Sequence, residues 1–252
     1  MNMNGDIEAF IIHLARATAR RPQVDHLLKA CPVPARVLDA VDGRAMSEAE
    51  IDAVYSRKSM HAPHYPFEMT AGEVGCFLSH RKAWQAIVAC GRDAGLVIED
   101  DVEIDADVFA TALEFAREHV SAHGIVQFQV RRIAEPGPLI ASTDAVVLAR
   151  PMIIPLRASC TLYSRSAAER LLAQTGRFDR PIDGHVQLHW VTGLRPLIAV
   201  PSGVRDKAAD IGGTTIQARN VPWRQRLRRE LLRPIYRARV SALSRRHDQP
   251  PE

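Results

Sequence analysis

Three consecutive carboxylates, Glu99, Asp100 and Asp101, follow directly on the apolar run Leu96-Val97-Ile98. Like charges this close repel and raise one another's pKa unless a cation sits among them. A hard divalent ion is the obvious cation, and oxygen ligands favour magnesium or manganese, which bind through one or two carboxylates plus substrate phosphates. If the strand continues through the run, alternation sends Glu99 and Asp101 to one face and Asp100 to the other. The same residues also suit an acidic turn ahead of a helix, whose first turn welcomes Asp and Glu through its dipole. Spacing leaves both readings open.

Other candidates carry their own bland alternatives. Glu73 closes the capping-box pattern Thr70-Ala71-Gly72-Glu73, which already gives its side chain a task. His80 falls between Phe77 and Trp84 on the apolar face of the same helix, a place for a hydrogen-bonded core histidine as much as for a ligand. Asp183, in Pro181-Ile182-Asp183-Gly184-His185, is a turn residue or a carboxylate offered to a substrate. Arg16, Arg20 and Arg21 sit just past the end of a strand, where guanidinium groups suit phosphates.

The elements that must position these groups read as an alternation. Ala9 to Leu14 is a continuous apolar run suited to a buried strand, and Val37 to Val41 is a second, closed by the Asp42-Gly43 turn signal. Ser47 to Ser56 is predicted helical, His61 to Phe67 an irregular loop, and Thr70 to Gly91 a helix. Leu96 to Ile98 is a strand running into the carboxylates, with a helix from Asp105 to His119 after it. Further strands are predicted at Ile125 to Val130, Ala145 to Ala149 and, last, Leu197 to Val200, and Ser159 to Tyr163 leads into the next helix. A second capping box, Ser166 to Glu169, opens a helix stopped near Gly176. Strand–helix–strand order predicts an α/β fold with a mainly parallel sheet, at whose carboxyl edge ligands bind.

At 252 residues, 46% apolar and 25% charged, the chain can bury a full core, which excludes wholesale disorder and a polytopic membrane protein. Cys31, Cys76, Cys90 and Cys160 show no CxxC spacing, so structural zinc is not expected and a reducing compartment is. The first apolar run is too short for a signal-peptide core, and no run reaches the roughly 18 residues of a membrane span. Between Trp223 and Arg246 stand nine arginines and one acid, a local +8 that leaves −4 for the rest of a chain of net charge +4. The expected division is therefore a catalytic domain over residues 1–220 and a basic amphipathic tail over 221–252. That tail is predicted as two short segments hinged at Pro234, with Trp223, Leu227 and Leu231 on one face and Ile235, Val240 and Leu243 later. Arginines between apolar anchors suit an anionic membrane surface or a solvated helix packed on the domain. No nucleic-acid module accompanies the charge.

Several blocks in sequence order resemble glycosyltransferase family 25, the lipooligosaccharide galactosyltransferase-like family. They are Ile11-Ile12-His13-Leu14 with Arg20-Arg21, Ala40-Val41-Asp42-Gly43, Gly72-Glu73-Val74-Gly75-Cys76-Phe77-Leu78-Ser79-His80 with Trp84, and Leu96 to Val102. Tyr163 to Ala168 and Pro181-Ile182-Asp183 follow. The resemblance implies a GT-A fold, Rossmann-like, in which Glu99-x-Asp101 stands for the Asp-x-Asp motif that binds a metal and the donor diphosphate. It implies inverting transfer of galactose, or next glucose, from a UDP-sugar to a lipopolysaccharide or lipooligosaccharide core. The donor would lie against His13, Leu14, Arg16, Arg20, Arg21, Asp42, Gly43, His80, Glu99 and Asp100, with manganese or magnesium on Asp101 and Glu99 and either His185 or His189 completing the shell. Asp183 is the expected base and Glu73 the second candidate. The basic tail would hold a cytoplasmic enzyme at the inner leaflet. Two other classes compete: a catalytically silent membrane-associated scaffold, and a metal-dependent hydrolase, for which the histidine-rich ligand set is missing.

Overall fold

The computed structural model describes residues 7–131, 133–210 and 223–248. Strand β1 (Ile7–His13) is apolar along its whole length because both of its faces are covered: Ile7, Ala9 and Ile11 enter one core layer, and Phe10 and Ile12 the other. Helix α1 (Arg21–Ala30) returns the chain to β2 (Ala35–Asp39), and α2 (Glu48–Val54) and α3 (Ala71–Ala89) follow. Then come β3 (Ala94–Glu99), β4 (Val102–Ile104), α4 (Ala106–His123), β5 (Ile125–Phe128), β6 (Leu139–Ser142), β7 (Val147–Ala149) and β8 (Cys160–Ser164). The chain ends with α5 (Arg165–Gln174), α6 (Ile182–Val186), α7 (His189–Thr192), β9 (Leu197–Val200), β10 (Val204–Asp206) and α8 (Trp223–Arg246).

Eight strands form one sheet in the order β2-β1-β3-β8-β5-β9-β7-β6, and β10 pairs with β4 in a separate ribbon. Pairings β1–β2, β1–β3 and β5–β9 are parallel, while β8 lies antiparallel between β3 and β5. With β7 also reversed against β9 and β6, six of the eight strands share one direction, as the strand–helix alternation predicts. Helices α1 and α4 cover one face through Val24, Leu27, Phe109, Leu113 and Val120. Helices α3, α5 and α6 cover the other through Phe77, Trp84, Ile87, Leu171 and Ile182.

Several boundaries differ from the sequence reading for identifiable reasons. Strand β2 begins two residues earlier than predicted, in register Ile11↔Val37 with β1. Helix α4 runs on to His123, where Gly124 takes the positive φ of 80° that ends it. Ser164, not Ser166, caps α5 by accepting from the Ala167 amide, because the helix starts directly on the last residue of β8. Strand β9 is not the last, since β10 follows it, and β4 and β6 were not foreseen. The stretch 181–185 is not a loop, because Ile182–Val186 coils into α6. Helix α8 passes through Pro234 without the predicted hinge. Its buried stripe is Tyr236, Val240 and Ser244, while Leu231 and Ile235 are 63% and 50% exposed. The side chains of Trp223 and Leu227, and the division at 220/221, lie outside the described residues.

Candidate active site

The parallel neighbours β1 and β3 end together, with Ile12 opposite Glu99 in register, and the chain leaves both strands over a narrow cleft. Its walls are Leu14, Arg16 and Arg20 after β1, Asp42 and Gly43 after β2, Cys76, Ser79 and His80 from α3, and all three carboxylates. The three carboxylates are not held alike. Strand β3 stops at Glu99, and Asp100 and Asp101 form a turn into β4, so the expected two-face alternation does not apply. Asp100 turns inward, 6% exposed, where His13 Nδ1 lies 2.7 Å from one oxygen and Arg20 Nη1 donates at 2.5 Å to the other. Burying a charge is costly unless it is paired, and Asp100 is paired twice.

Glu99 lies 3.0 Å from His80 Nε2. Burial pushes its carboxyl up, but hydrogen bonds from His80 and Ser159 and the charge of Arg157 outweigh burial and hold it below its ordinary value. Asp101 has weaker support, with Arg20 3.7 Å away. Burial, and then the negative charge of Glu99, raise its pKa to about 7. Crowded carboxylates that lack a cation behave in this way, and a divalent ion between Glu99 and Asp101 would reverse the shift. The residues therefore fit such an ion. Cys76, His80 and Glu99 also bring one ligand atom each within 4.8 Å of one another, the one set of three among the described residues.

Asp183, on α6, borders a second cavity rather than the cleft, close enough to Glu99 to feel its charge. Its two oxygens accept from the amides of Arg157 and Ala158, both at 2.9 Å, and so hold Arg157 at a positive φ of 82°. Burial, and then the charge of Glu99, raise its pKa, against the pull of those two amides. The Glu99 amide donates to the carbonyl of Ser159, next in the chain, so Asp183 and Glu99 grip the two ends of one short segment.

Other expected residues are engaged in contacts of their own, inside the cleft or away from it. His13 is behind the cleft, bonded to Asp100. Arg21 points to the surface and pairs with Asp25 at 3.2 Å. Arg16 and Asp42 are at the cleft mouth but are engaged with each other, at 2.5 and 3.2 Å. Glu73 completes its capping box, accepting from the Thr70 amide at 2.7 Å. His185 is buried in ring contact with Phe77 and His61, both ring nitrogens unpartnered, and burial lowers its pKa to about 4. His189 is 3.0 Å from Ser244 of α8. Neither histidine lines the cleft, because both are fixed in buried packing.

Sequence reasoning missed Cys76, Ser79, Ser159, Arg157 and Asp206. Cys76 precedes His80 by one helical turn, a spacing that places both on one face. Ser79 accepts from the Val41 amide at 2.8 Å and donates to the Gly75 carbonyl at 2.7 Å, tying the loop after β2 to α3. Asp206 pairs with Arg157 and adds negative charge near Asp101, and the unforeseen strand β10 carries it there.

A mostly parallel sheet with β8 reversed at its centre, and an acidic turn at the carboxyl edge of β3, define a GT-A type glycosyltransferase fold. A mannosyltransferase of Pyrobaculum calidifontis, solved with GDP-Man and Mn2+, shares that fold at TM-score 0.50 and 13% identity, over 99% of this chain and 67% of its own. The chain belongs to glycosyltransferase family 25: the family model described as an LPS biosynthesis protein matches residues 6–134. A rat protein named a probable inactive glycosyltransferase 25 family member 3 is 39% identical over 115 residues, 45% of this chain and 20% of its own. A family member of Drosophila pseudoobscura pseudoobscura is 26% identical over 204 residues, 76% and 33%. A zebrafish procollagen galactosyltransferase 1 is 34% identical over 100 residues, 39% and 17%. The chain thus spans about a sixth to a third of the length of these relatives.

Proposed function

We propose that the chain is an inverting, metal-dependent hexosyltransferase that moves galactose, or next glucose, from a UDP-sugar to a lipopolysaccharide or lipooligosaccharide core. The observation that carries this reading is the unequal treatment of three adjacent carboxylates. Asp100 is neutralised from within by His13 and Arg20 and Glu99 is supported by His80, Ser159 and Arg157, while Asp101 faces the cleft with a deficit of positive charge. At about 80 Å³ the cleft suits an ion and a diphosphate end rather than a whole nucleotide sugar. When bound, manganese or magnesium on Asp101 and Glu99 supplies Lewis-acid charge for the departing diphosphate. Asp183 takes the proton of the acceptor hydroxyl as its oxygen attacks the anomeric carbon, and the bond to the diphosphate breaks with its electron pair leaving on UDP. A carboxyl whose pKa burial raises above the ordinary carboxylate value suits that task. Manganese and a nucleotide-sugar donor accompany the related fold of the mannosyltransferase, and the zebrafish relative is named for galactosyl transfer. Leu231 and Ile235, exposed on α8 among arginines, support a peripheral seat on an anionic inner-leaflet surface.

The test is calorimetric titration of UDP, UDP-galactose and UDP-glucose, with manganese and again with chelator, followed by transfer to core oligosaccharide. Metal-dependent binding followed by transfer bears the reading out. A second reading, a silent scaffold, is favoured by the name of the rat relative. It predicts no binding of any UDP-sugar.

A further inference from the structure

Two cavities on the α6–α8 side lie beyond the cleft. One, about 500 Å³, is bordered by Arg57, Lys58 and Arg229, and the other, about 600 Å³, by Ile153, Leu156, Arg233 and Arg237. Tyr65 and Phe67 line both, their rings perpendicular with centroids 5.5 Å apart, so the cavities share an aromatic wall. Asp183 borders the second. From there the path to Glu99 is one short segment, since Asp183 holds the Ala158 amide and the Ser159 carbonyl takes the Glu99 amide.

Charge along this trough is unevenly placed. Arg229, Arg233 and Arg237 recur every four residues and so form one stripe on α8. Arg233 has Glu230 at 3.7 Å, while Arg229 lies 5.9 Å over the Phe67 ring and, like Arg237, has no carboxylate partner among the described residues. Of the acids bordering the trough, Asp179 is held by Arg180 and the Met60 amide and Asp183 by its two amides, which leaves Glu68. The walls offer apolar and aromatic faces, and the rim offers guanidinium forks that match phosphate geometry.

We propose that this trough is the acceptor site and that it takes a phosphorylated glycan. The C–H faces of the sugar rings lie on Tyr65 and Phe67, phosphates of the chain meet Arg233 and Arg237, and the reacting hydroxyl is delivered to Asp183. This rests on the transferase reading and adds to it the chemical class of acceptor and the part α8 plays.

The probe is core oligosaccharide released from lipopolysaccharide, intact or chemically dephosphorylated, titrated into the full chain with UDP and manganese present. The intact form is expected to bind tighter by about tenfold or more, the scale of charge-assisted contacts. R233E/R237E is expected to bind both forms alike with its UDP affinity unchanged. R245E/R246E, an equal charge change at the far end of α8, is expected to keep the preference. Equal binding of the two forms by the unaltered chain overturns the inference, as does an equal loss in the far-end variant. Binding to phosphatidylglycerol vesicles but to neither oligosaccharide gives the stripe to a membrane surface instead. These failures leave UDP binding intact, whereas absent UDP binding removes the transferase reading itself.

Discussion

Asp100 and Asp101 are neighbours with opposite electrostatic needs, and one substitution separates them. Asp101→Asn keeps the volume and removes a charge that burial and Glu99 already disfavour. The expected result is transfer reduced by about 100-fold or more with the fold retained. In thermal melts manganese should raise the midpoint of the unaltered protein by mass action and leave Asp101→Asn where it was. Asp183 poses a harder case because its carboxylate also clamps Arg157 at φ 82°. Asp183→Asn should lower kcat by about 100- to 10,000-fold, the range for a lost general base, with UDP affinity held. The pH profile separates base from clamp. Burial and then Glu99 raise the Asp183 pKa, so turnover in the unaltered protein should fall as pH drops through that raised value, and the variant should lose this acid limb. A variant that keeps the limb, merely scaled down, assigns Asp183 to positioning.

At the scale of elements, the cleft exists because α3 and the loop after β2 touch backbone to backbone. A Cβ on Gly75 would come within 2.5 Å of the Gly43 amide nitrogen and 2.6 Å of the Val41 carbonyl oxygen, so neither chain can yield by turning a side chain. Gly75→Ala should therefore destabilise by about 1–3 kcal/mol, as overpacking does, and push the wall bearing Asp42 and Gly43 outward. Urea denaturation measures the first effect and weakened UDP binding the second. What was legible in the sequence follows the same line between local and distant causes. The capping box at Thr70 and Glu73 and the helix it opens are set by residues within one turn of each other, and they stand as read. The carboxylate run and its cleft were found because an apolar strand ending in acids is a local pattern. By contrast, β4 and β10 are three residues each and exist by pairing across about a hundred residues, so Asp206 could not be placed. His185 and Asp183 are two residues apart, yet only the packing of α6 sends one to the ring core and the other to Arg157.

Over the whole molecule, α8 is fastened by groups drawn from distant parts of the chain. Fully buried Arg180 donates to Asp179, to the His61 carbonyl and, at 3.3 Å, to the Tyr236 hydroxyl. His189 meets Ser244, whose hydroxyl also bonds the Met152 carbonyl. The acceptor trough therefore depends on a joint that contains two buried histidines, His185 and His189, each with a pKa lowered to about 4, first by burial and then by the nearby charge of His61 and Arg195 respectively. The sign follows from the neutral folded state. Above pH 6.5, the ordinary value, neither the folded nor the unfolded chain binds the proton and stability is complete. As pH falls from there toward 4, the unfolded chain protonates first and folding weakens. One such histidine costs about 2 kcal/mol at pH 5. His185 has no hydrogen-bond partner to lose and rings on two sides, so His185→Phe should keep the packing against Phe77 and remove that cost. Denaturant unfolding at about pH 7.5 and about pH 5 measures it. The variant should match the unaltered protein at the higher pH and exceed it by about 2 kcal/mol at the lower. An acid loss identical in both proteins would place the sensitive group elsewhere, with His189 at the α8 joint next to be replaced.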